Sequence, residues 1–498
     1  MTWAALLVAL LSLVPLGFVA WAAIHAGGPV VVATLLRPRV LELLVNTLLL
    51  EALTLPPAIA LALATAWLTE RTDLPAAPAW AWLAVAPLAV PAFVQSYAWN
   101  TLAPGFHGLW AAVAVSVLSY YPFLYMPIAA QLRRLDPALE DVAASLGNGP
   151  WRRFHRVVLP QLRLGIGAGS ILVALHLLSE YGLYAMIRFD TFTTAIMDQF
   201  QSSYGGPAAD MMSAVLVVMC LALLFGDGLL RRNERYARLG PGSARVAPRV
   251  RLGAWRWPSI AFLVLCAALV LGVPAVIMGR WIVAGGTEIW RPELVSAFWQ
   301  TVALSTAGAA ATTVAAFPMA WLCVRRPGWA QRVLEACHLY VSSLPGVVVG
   351  LALVAVTVRV AQPLYQTAAT VMVAYVLLFL SRALAGLRPS LAQAPVELER
   401  AAQALGRSPM RATLEVTLRL AAPGVAASFG LVALGTATEL TATLMLAPNG
   451  TRTLATAFWS LTSELDYAAA APYAAVMVIA TLPLTLILHA QSRRMSGR

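Results

Sequence analysis

Asp136-Pro-Ala-Leu-Glu-Asp-Val-Ala-Ala-Ser-Leu-Gly147, continued by Asn148-Gly-Pro-Trp-Arg-Arg-Phe-His-Arg-Val-Val-Leu-Pro160, is a polar loop between two apolar runs. It reads as two short helices around a turn. Asp136 can cap the first helix, and Pro137 suits its first position, where a missing N–H costs nothing. Leu139, Val142, Ala143 and Leu146 form an i, i+3, i+4, i+7 stripe, Gly147 supplies the break, and Pro150 can open the second helix. Pro395-Val-Glu-Leu-Glu-Arg-Ala-Ala-Gln-Ala-Leu-Gly406-Arg-Ser-Pro-Met-Arg-Ala-Thr-Leu-Glu-Val-Thr-Leu418 repeats the device, with Leu398, Ala401, Ala402 and Leu405 in the same phase. Two such loops 259 residues apart make the chain a duplication.

The repeat extends outward from the loops. Thr47, Trp67 and Pro91 meet Thr301, Trp321 and Pro345 at an offset of 254, and Glu140, Gly147, Glu180 and Thr194 meet Glu399, Gly406, Glu439 and Thr453 at 259. The five extra residues fall between the third apolar run and the loop. About twelve apolar runs have the roughly 20-residue length that crosses about 30 Å of hydrocarbon. They cover 3–25, 42–68, 78–99, 109–131, 164–187, 209–229, 259–282, 297–322, 338–358, 366–387, 420–446 and 470–490. The expected architecture is an all-α integral membrane protein, two six-helix halves in parallel orientation about a pseudo-twofold axis along the membrane normal. Residues 1–232 form the first half, 233–257 a basic linker on the inner side, and 258–498 the second half.

Composition agrees with this reading: of 498 residues 60% are hydrophobic and 11% charged, with a mean hydropathy of +0.76. The segment from Trp3 to Ile24 has no basic n-region and exceeds a signal h-region in length, so a retained helix is expected. A net charge of +12 follows topology rather than nucleic acid. With both termini cytoplasmic, only Arg37, Arg39, Arg188, Arg280, Arg291, Arg359 and Arg452 among the basic residues lie outside. All 34 basic residues are arginine. The lysine that a P-loop ATPase places on its phosphates is therefore absent, and no nucleophile–base constellation suggests covalent catalysis. Cys220, Cys266, Cys323 and Cys337 have neither pairing nor ligand spacing and read as packing residues.

Both loops resemble the EAA loop of ABC importer permeases, Glu-Ala-Ala-x3-Gly-x9-Ile-x-Leu-Pro. The first keeps Gly147, Val157, Leu159 and Pro160 but has Asp141-Val142-Ala143 in place of Glu-Ala-Ala, followed by Ala144. The second keeps Ala401, Ala402, Gly406, Val416 and Leu418, with Arg400 at the acidic position and Arg419 at the proline. Glu140 and Glu399, one residue earlier, are alternative acidic groups. The resemblance implies the type I importer permease fold, with each loop as a coupling helix seated in a separate ABC ATPase. It further implies two copies of that ATPase, an extracytoplasmic substrate-binding protein, a place in the bacterial cytoplasmic (inner) membrane with its lipid, and no cofactor on this chain, ATP and magnesium belonging to the ATPase.

A narrower resemblance, to fused iron(III) permeases and more distantly to thiamine permeases, rests on Leu178-Ser-Glu-Tyr-Gly182 with Arg188-Phe-Asp-Thr-Phe-Thr-Thr-Ala-Ile196. Its counterparts are Thr438-Glu-Leu-Thr441 and Pro448-Asn-Gly-Thr-Arg-Thr-Leu-Ala455. It points to ferric iron as cargo; thiamine, another organic cation and a phosphonate are the alternatives. The loops at 188–210 and 448–466 are long enough to receive the binding protein. A carboxylate inside a membrane run is costly and marks a functional position. Glu180 and Glu439 are such groups at matched positions, expected to form an acidic ring or gate on the translocation path, or else to cap a broken helix. Glu51 has no acidic counterpart and reads as a local hydrogen-bonding residue. No His, Cys, Asp or Glu cluster has the spacing of a resident metal site. A proton-driven carrier using Glu51, Glu180 and Glu439 is the rival from another class; it has no use for the two loops.

Overall fold

In a bilayer every backbone N–H and C=O must be satisfied internally, which leaves helices as the form open to apolar runs of this kind. The computed structural model describes residues 2–203, 206–232 and 249–495, so the basic linker lies outside the described residues as far as residue 248. Among the described residues the chain is helical, and its extended pairing is one isolated bridge between Thr72 and Val250. The helices that build the two loops and the spans around them are α1 Thr2–Ala26, α2 Pro38–Arg71, α3 Leu109–Arg134, α4 Pro137–Ser145, α5 Leu159–Ser179, α6 Gly182–Ile187, α7 Pro292–Arg325, α8 Ala368–Gln393, α9 Val396–Ala404, α10 Ala422–Ala437 and α11 Thr441–Leu446.

The repeat is visible in element lengths. α2 and α7 each have 34 residues, α3 and α8 each 26, α4 and α9 each 9, and α6 and α11 each 6. Even the π-helical turns that follow the loops, Phe154–Val158 and Thr413–Thr417, match at the 259 offset. The shift from 254 to 259 arises in the third segment, where Ala92–Leu102 has 11 residues and its counterpart Gly346–Arg359 has 14, and in the loop after it.

Among the described residues eight helices are long and apolar enough to cross a membrane, or eleven when each bent pair is one span, and Tyr467–Pro483 is a further apolar helix. The apolar runs lie where expected, but two of the expected straight spans are broken and the chain bends at the start of a third. Ala77–Ala89 meets Ala92–Leu102 at 90°, Trp329–Ser342 meets Gly346–Arg359 at 99°, and Pro409–Leu420 meets Ala422–Ala437 at 74°. Proline explains the first two: Pro91 and Pro345 sit at the break with ψ of 144° in both, extended backbone without an N–H to continue the ladder. At the third break Ala421 leaves the helix with ψ of −2°, just ahead of Pro423. The fifth run of the first half also stops early, at Ser179, and restarts as α6.

Two compact units gather the residues. One comprises Met1–Val40, Thr193–Val218 and Ala284–Leu484; the other comprises Leu41–Phe192, Met219–Val283 and Thr485–Arg498. Packing places α1 with α7 to α11. In that unit Ala5 is buried with Met319 and Leu322, and the Arg359 guanidinium lies 4.8 Å from the Trp21 ring. In the other unit Leu263 is buried with Leu74 and Ala77, and Gln95 donates at 2.6 Å to the Val270 carbonyl in the π turn Ala268–Gly272. Close approach of the fourth and fifth spans rests on glycines in each unit, among them the equivalent Gly165 and Gly424. A Cβ at Gly165 would stand 3.2 Å from the Pro127 carbonyl oxygen, and one at Gly424 would stand 2.9 Å from that of Gly386.

Candidate functional site

Each loop is built from a short helix, a glycine stop and a second helix that runs through its π turn into the fifth span. Asp136 caps α4, accepting from the Ala138 N–H at 2.9 Å. Ser408 caps the helix after the second turn, accepting from the Arg411 N–H at 3.4 Å. Both first helices end in the same Schellman motif. The Gly147 N–H donates to the Ala144 carbonyl and the Asn148 N–H to that of Ala143; the Gly406 N–H donates to Gln403 and the Arg407 N–H to Ala402, all at 3.0 to 3.1 Å. The motif needs a left-handed residue, and φ is +77° at Gly147 and +86° at Gly406.

The apolar stripes face outward. Leu139, Val142 and Leu146 are exposed on α4, with Ala143 buried beneath; Leu398, Ala401 and Leu405 occupy the same positions beside α9, and Leu146 and Leu405 reach 76% and 86% exposure. Trp151 and Met410, again equivalent, are exposed on the second helices. Of the acidic candidates Asp141 is exposed, as are Ala144 and Arg400, and Ala402 is half-buried. Each loop therefore shows a small row of large apolar groups flanked by charge, the composition of an interface core and rim.

Glu140 and Glu399 point the other way, into the protein. Glu140 pairs with Arg71, the last residue of α2, and Glu399 pairs with Arg325, the last residue of α7, at 2.8 Å. The pairs are equivalent under the two offsets, and both arginines and Glu399 are at most 8% exposed. The second pair is more extensive: Arg325 Nη2 also donates to the Ala394 carbonyl at 2.9 Å, and Glu399 also receives the Thr417 hydroxyl. Sequence reasoning singled out the glutamates and missed the arginines. The signal was present, since Arg71 and Arg325 sit at the 254 offset at the ends of equal helices.

Where the fifth spans break, Glu180 and Glu439 turn back on the next helix. Glu180 accepts from the Leu183 N–H at 2.9 Å and from the Tyr120 hydroxyl. Glu439 accepts from the N–H groups of Ala442 and Thr443, at 2.8 and 2.9 Å, and from the Thr443 hydroxyl at 2.5 Å. Supporting hydroxyls mirror each other with residue types exchanged: Ser116 meets Tyr184 at 3.3 Å in one unit, and Tyr375 meets Thr443 at 2.9 Å in the other. Both carboxylates are half-buried. Glu51 is buried, and its Oε1 has no hydrogen-bond partner among the described residues.

The segments expected as outer receiving loops are largely helical, as Phe192–Ser203 and Leu454–Ser463. Their approaches are tied to the second span: Asn46 donates to the Asp190 carbonyl at 3.1 Å, and the equivalent Gln300 accepts from the Arg452 N–H at 2.9 Å. Among the described residues no group of three His, Cys, Asp or Glu side chains could hold a metal ion.

Comparison with known proteins agrees with the duplication. The family model described as binding-protein-dependent transport system inner membrane component matches residues 29–238 and again 312–497. The Fe(3+)-transport system permease protein FbpB 2 of Haemophilus influenzae is 35% identical over 486 residues, 96% of each chain. The sulfate transport system permease protein CysT of Escherichia coli is 28% identical over 193 residues, 35% of this chain and 69% of that protein. The molybdate/tungstate transport system permease protein WtpB of Thermococcus kodakarensis is 25% identical over 198 residues, 39% of this chain and 79% of that protein. With the family matched twice and an equivalent loop in each match, the chain belongs to the inner membrane components of binding-protein-dependent transport systems, as a transport permease with two fused repeats.

Proposed function

We propose that the chain is the permease of an ATP-driven importer for ferric iron, with both loops seating a separate ATPase, one copy on each. The observation that carries the docking assignment is the duplicated construction: the same Schellman stop, at Gly147 and Gly406, holding the same outward apolar row. A loop lying on a membrane has no reason to keep a left-handed glycine and five-residue π turn in register across 259 residues. Iron as cargo draws support from the 35% identical relative, whose name specifies Fe(3+) transport, and from the Glu-Tyr-Gly and Thr-Phe-Thr stretches. On this reading ATP and magnesium act on the ATPase, an extracytoplasmic binding protein delivers the cargo, and both termini are cytoplasmic. The hydrogen bonds of Glu180 and Glu439 support a role in holding the break in the fifth span, and through it the gate, more than an open acidic ring.

Gly147→Asp combined with Gly406→Asp tests the docking assignment. A side chain at a left-handed position costs about 1 to 2 kcal/mol, and the added charge stands next in the chain to the exposed Leu146 and Leu405. The expected result is a chain that reaches the membrane, loses its ATPase on purification and takes up no iron; a double variant that keeps stoichiometric ATPase overturns the assignment. Iron uptake supported by the purified complex and its binding protein, tested against thiamine and a phosphonate, checks the cargo.

A further inference from the structure

Very little of α4 and α9 is anchored by apolar packing. In α4 the buried residues are Pro137 and Ala143; in α9 the buried residue is Glu399. The second coupling helix is therefore fastened to its unit chiefly through one carboxylate. That carboxylate meets the end of a 34-residue helix at Arg325, while Arg325 also holds the Ala394 carbonyl at the end of the fourth span and Thr417 reaches Glu399 from the π turn that leads into the fifth. One ion pair thus joins the second, fourth and fifth spans to the exposed helix. Arg71 and Glu140 repeat the joint between α4 and α2 in the other unit.

We propose that Arg71–Glu140 and Arg325–Glu399 are coupling joints, which pass displacement of the exposed helices to the long second spans, and that the two arginines are positioning residues for transport. The proposal rests on the docking assignment above. Its physical basis is directional: a buried charge pair has few alternative partners, so separating it is far more costly than tilting the rods it connects. A push on α9 is then transmitted along α7 instead of being absorbed in the short loop. An apolar contact of alanines would slide.

The test uses the complete complex of this chain, its ATPase and its binding protein in proteoliposomes, comparing Arg71→Gln, Arg325→Gln and the double variant. Three readouts are taken: ATPase retained on purification, ATP hydrolysed, and ferric iron taken up per ATP. The expected result is stoichiometric ATPase with continuing hydrolysis and at least a tenfold fall in iron per ATP for the double variant. Arg325→Lys, which keeps the charge, and the exchanged pair Arg325→Glu with Glu399→Arg should each recover part of the coupling. Unchanged iron per ATP in a double variant that retains the ATPase overturns the joints while leaving the docking assignment intact. Loss of the ATPase from Arg325→Gln and Arg325→Lys alike also overturns them, since the arginine would then serve docking or folding. Failure of the unaltered chain to hold an ATPase strikes the docking assignment itself.

Discussion

The two joints share one skeleton and differ in how fully it is satisfied. At Arg325–Glu399 both side chains are 8% exposed, the guanidinium donates from Nε and Nη2, and the carboxylate collects a hydroxyl as well. At Arg71–Glu140 the glutamate is twice as exposed, at 16%, and Arg71 Nε and Nη1 are buried with no hydrogen-bond partner among the described residues. Part of the difference is a single position: Thr417 in the second unit is Val158 in the first. Duplication preserved the backbone frame, which is demanding, and let the satisfaction of buried polar groups drift. An unequal pair of joints is what a fused chain permits, because each need serve only its own unit.

The largest effects are expected at the glycine hinges. Gly147→Asp and Gly406→Asp, made singly, should each lower iron uptake at least tenfold in membrane vesicles, because both glycines carry positive φ. Uptake surviving at either hinge would show that loop to be dispensable. Next comes the joint itself. Glu399→Gln leaves the buried Arg325 charge without its partner, a change that costs about 3 to 5 kcal/mol, and should lower the thermal unfolding midpoint of the purified chain by more than Glu140→Gln does. Equal shifts would mean that the additional hydrogen bonds of the second joint add nothing.

Thr417→Val makes the second joint resemble the first. It removes one hydrogen bond to a charged group, about 1.5 to 3 kcal/mol, and the unfolding midpoint should fall by an amount between the two glutamate variants. The smallest effect concerns the broken fifth spans. Tyr120→Phe deprives Glu180 of its hydroxyl donor, whereas the equivalent position is already Phe379 and Thr443 supplies the donor to Glu439. A loss of about 1 kcal/mol in stability is expected, with iron uptake retained. A much larger fall in uptake would return Glu180 to the cargo path.

Much of this was legible in the residues. The loops, their caps and stops, the phase of the apolar stripes and the register of the repeat all follow from local preferences, since Pro, Gly and Asp act on their own backbone and neighbours. The partners of Glu140 and Glu399 were not legible, because Arg71 and Arg325 lie 69 and 74 residues away along the chain. Nor were the bends at Pro91 and Pro345, although both prolines were matched in sequence: hydropathy measures how apolar a run is and carries no angle. The grouping of α1 with α7 to α11 depends on side-chain packing such as Arg359 on Trp21, which no periodicity encodes.

A duplicated, helical membrane protein with two polar loops carrying matched apolar stripes was readable from residue order alone, because apolar length, repeat offset and turn chemistry are properties of neighbouring residues. Long-range packing set the rest: Glu140 and Glu399 turn inward to Arg71 and Arg325, Glu180 and Glu439 accept hydrogen bonds from the helix that follows each of them, and the repeats and the compact units divide the chain differently. Those outcomes depend on which distant groups meet in a low-dielectric interior, where a charge must find a partner and the partner is chosen by the fold.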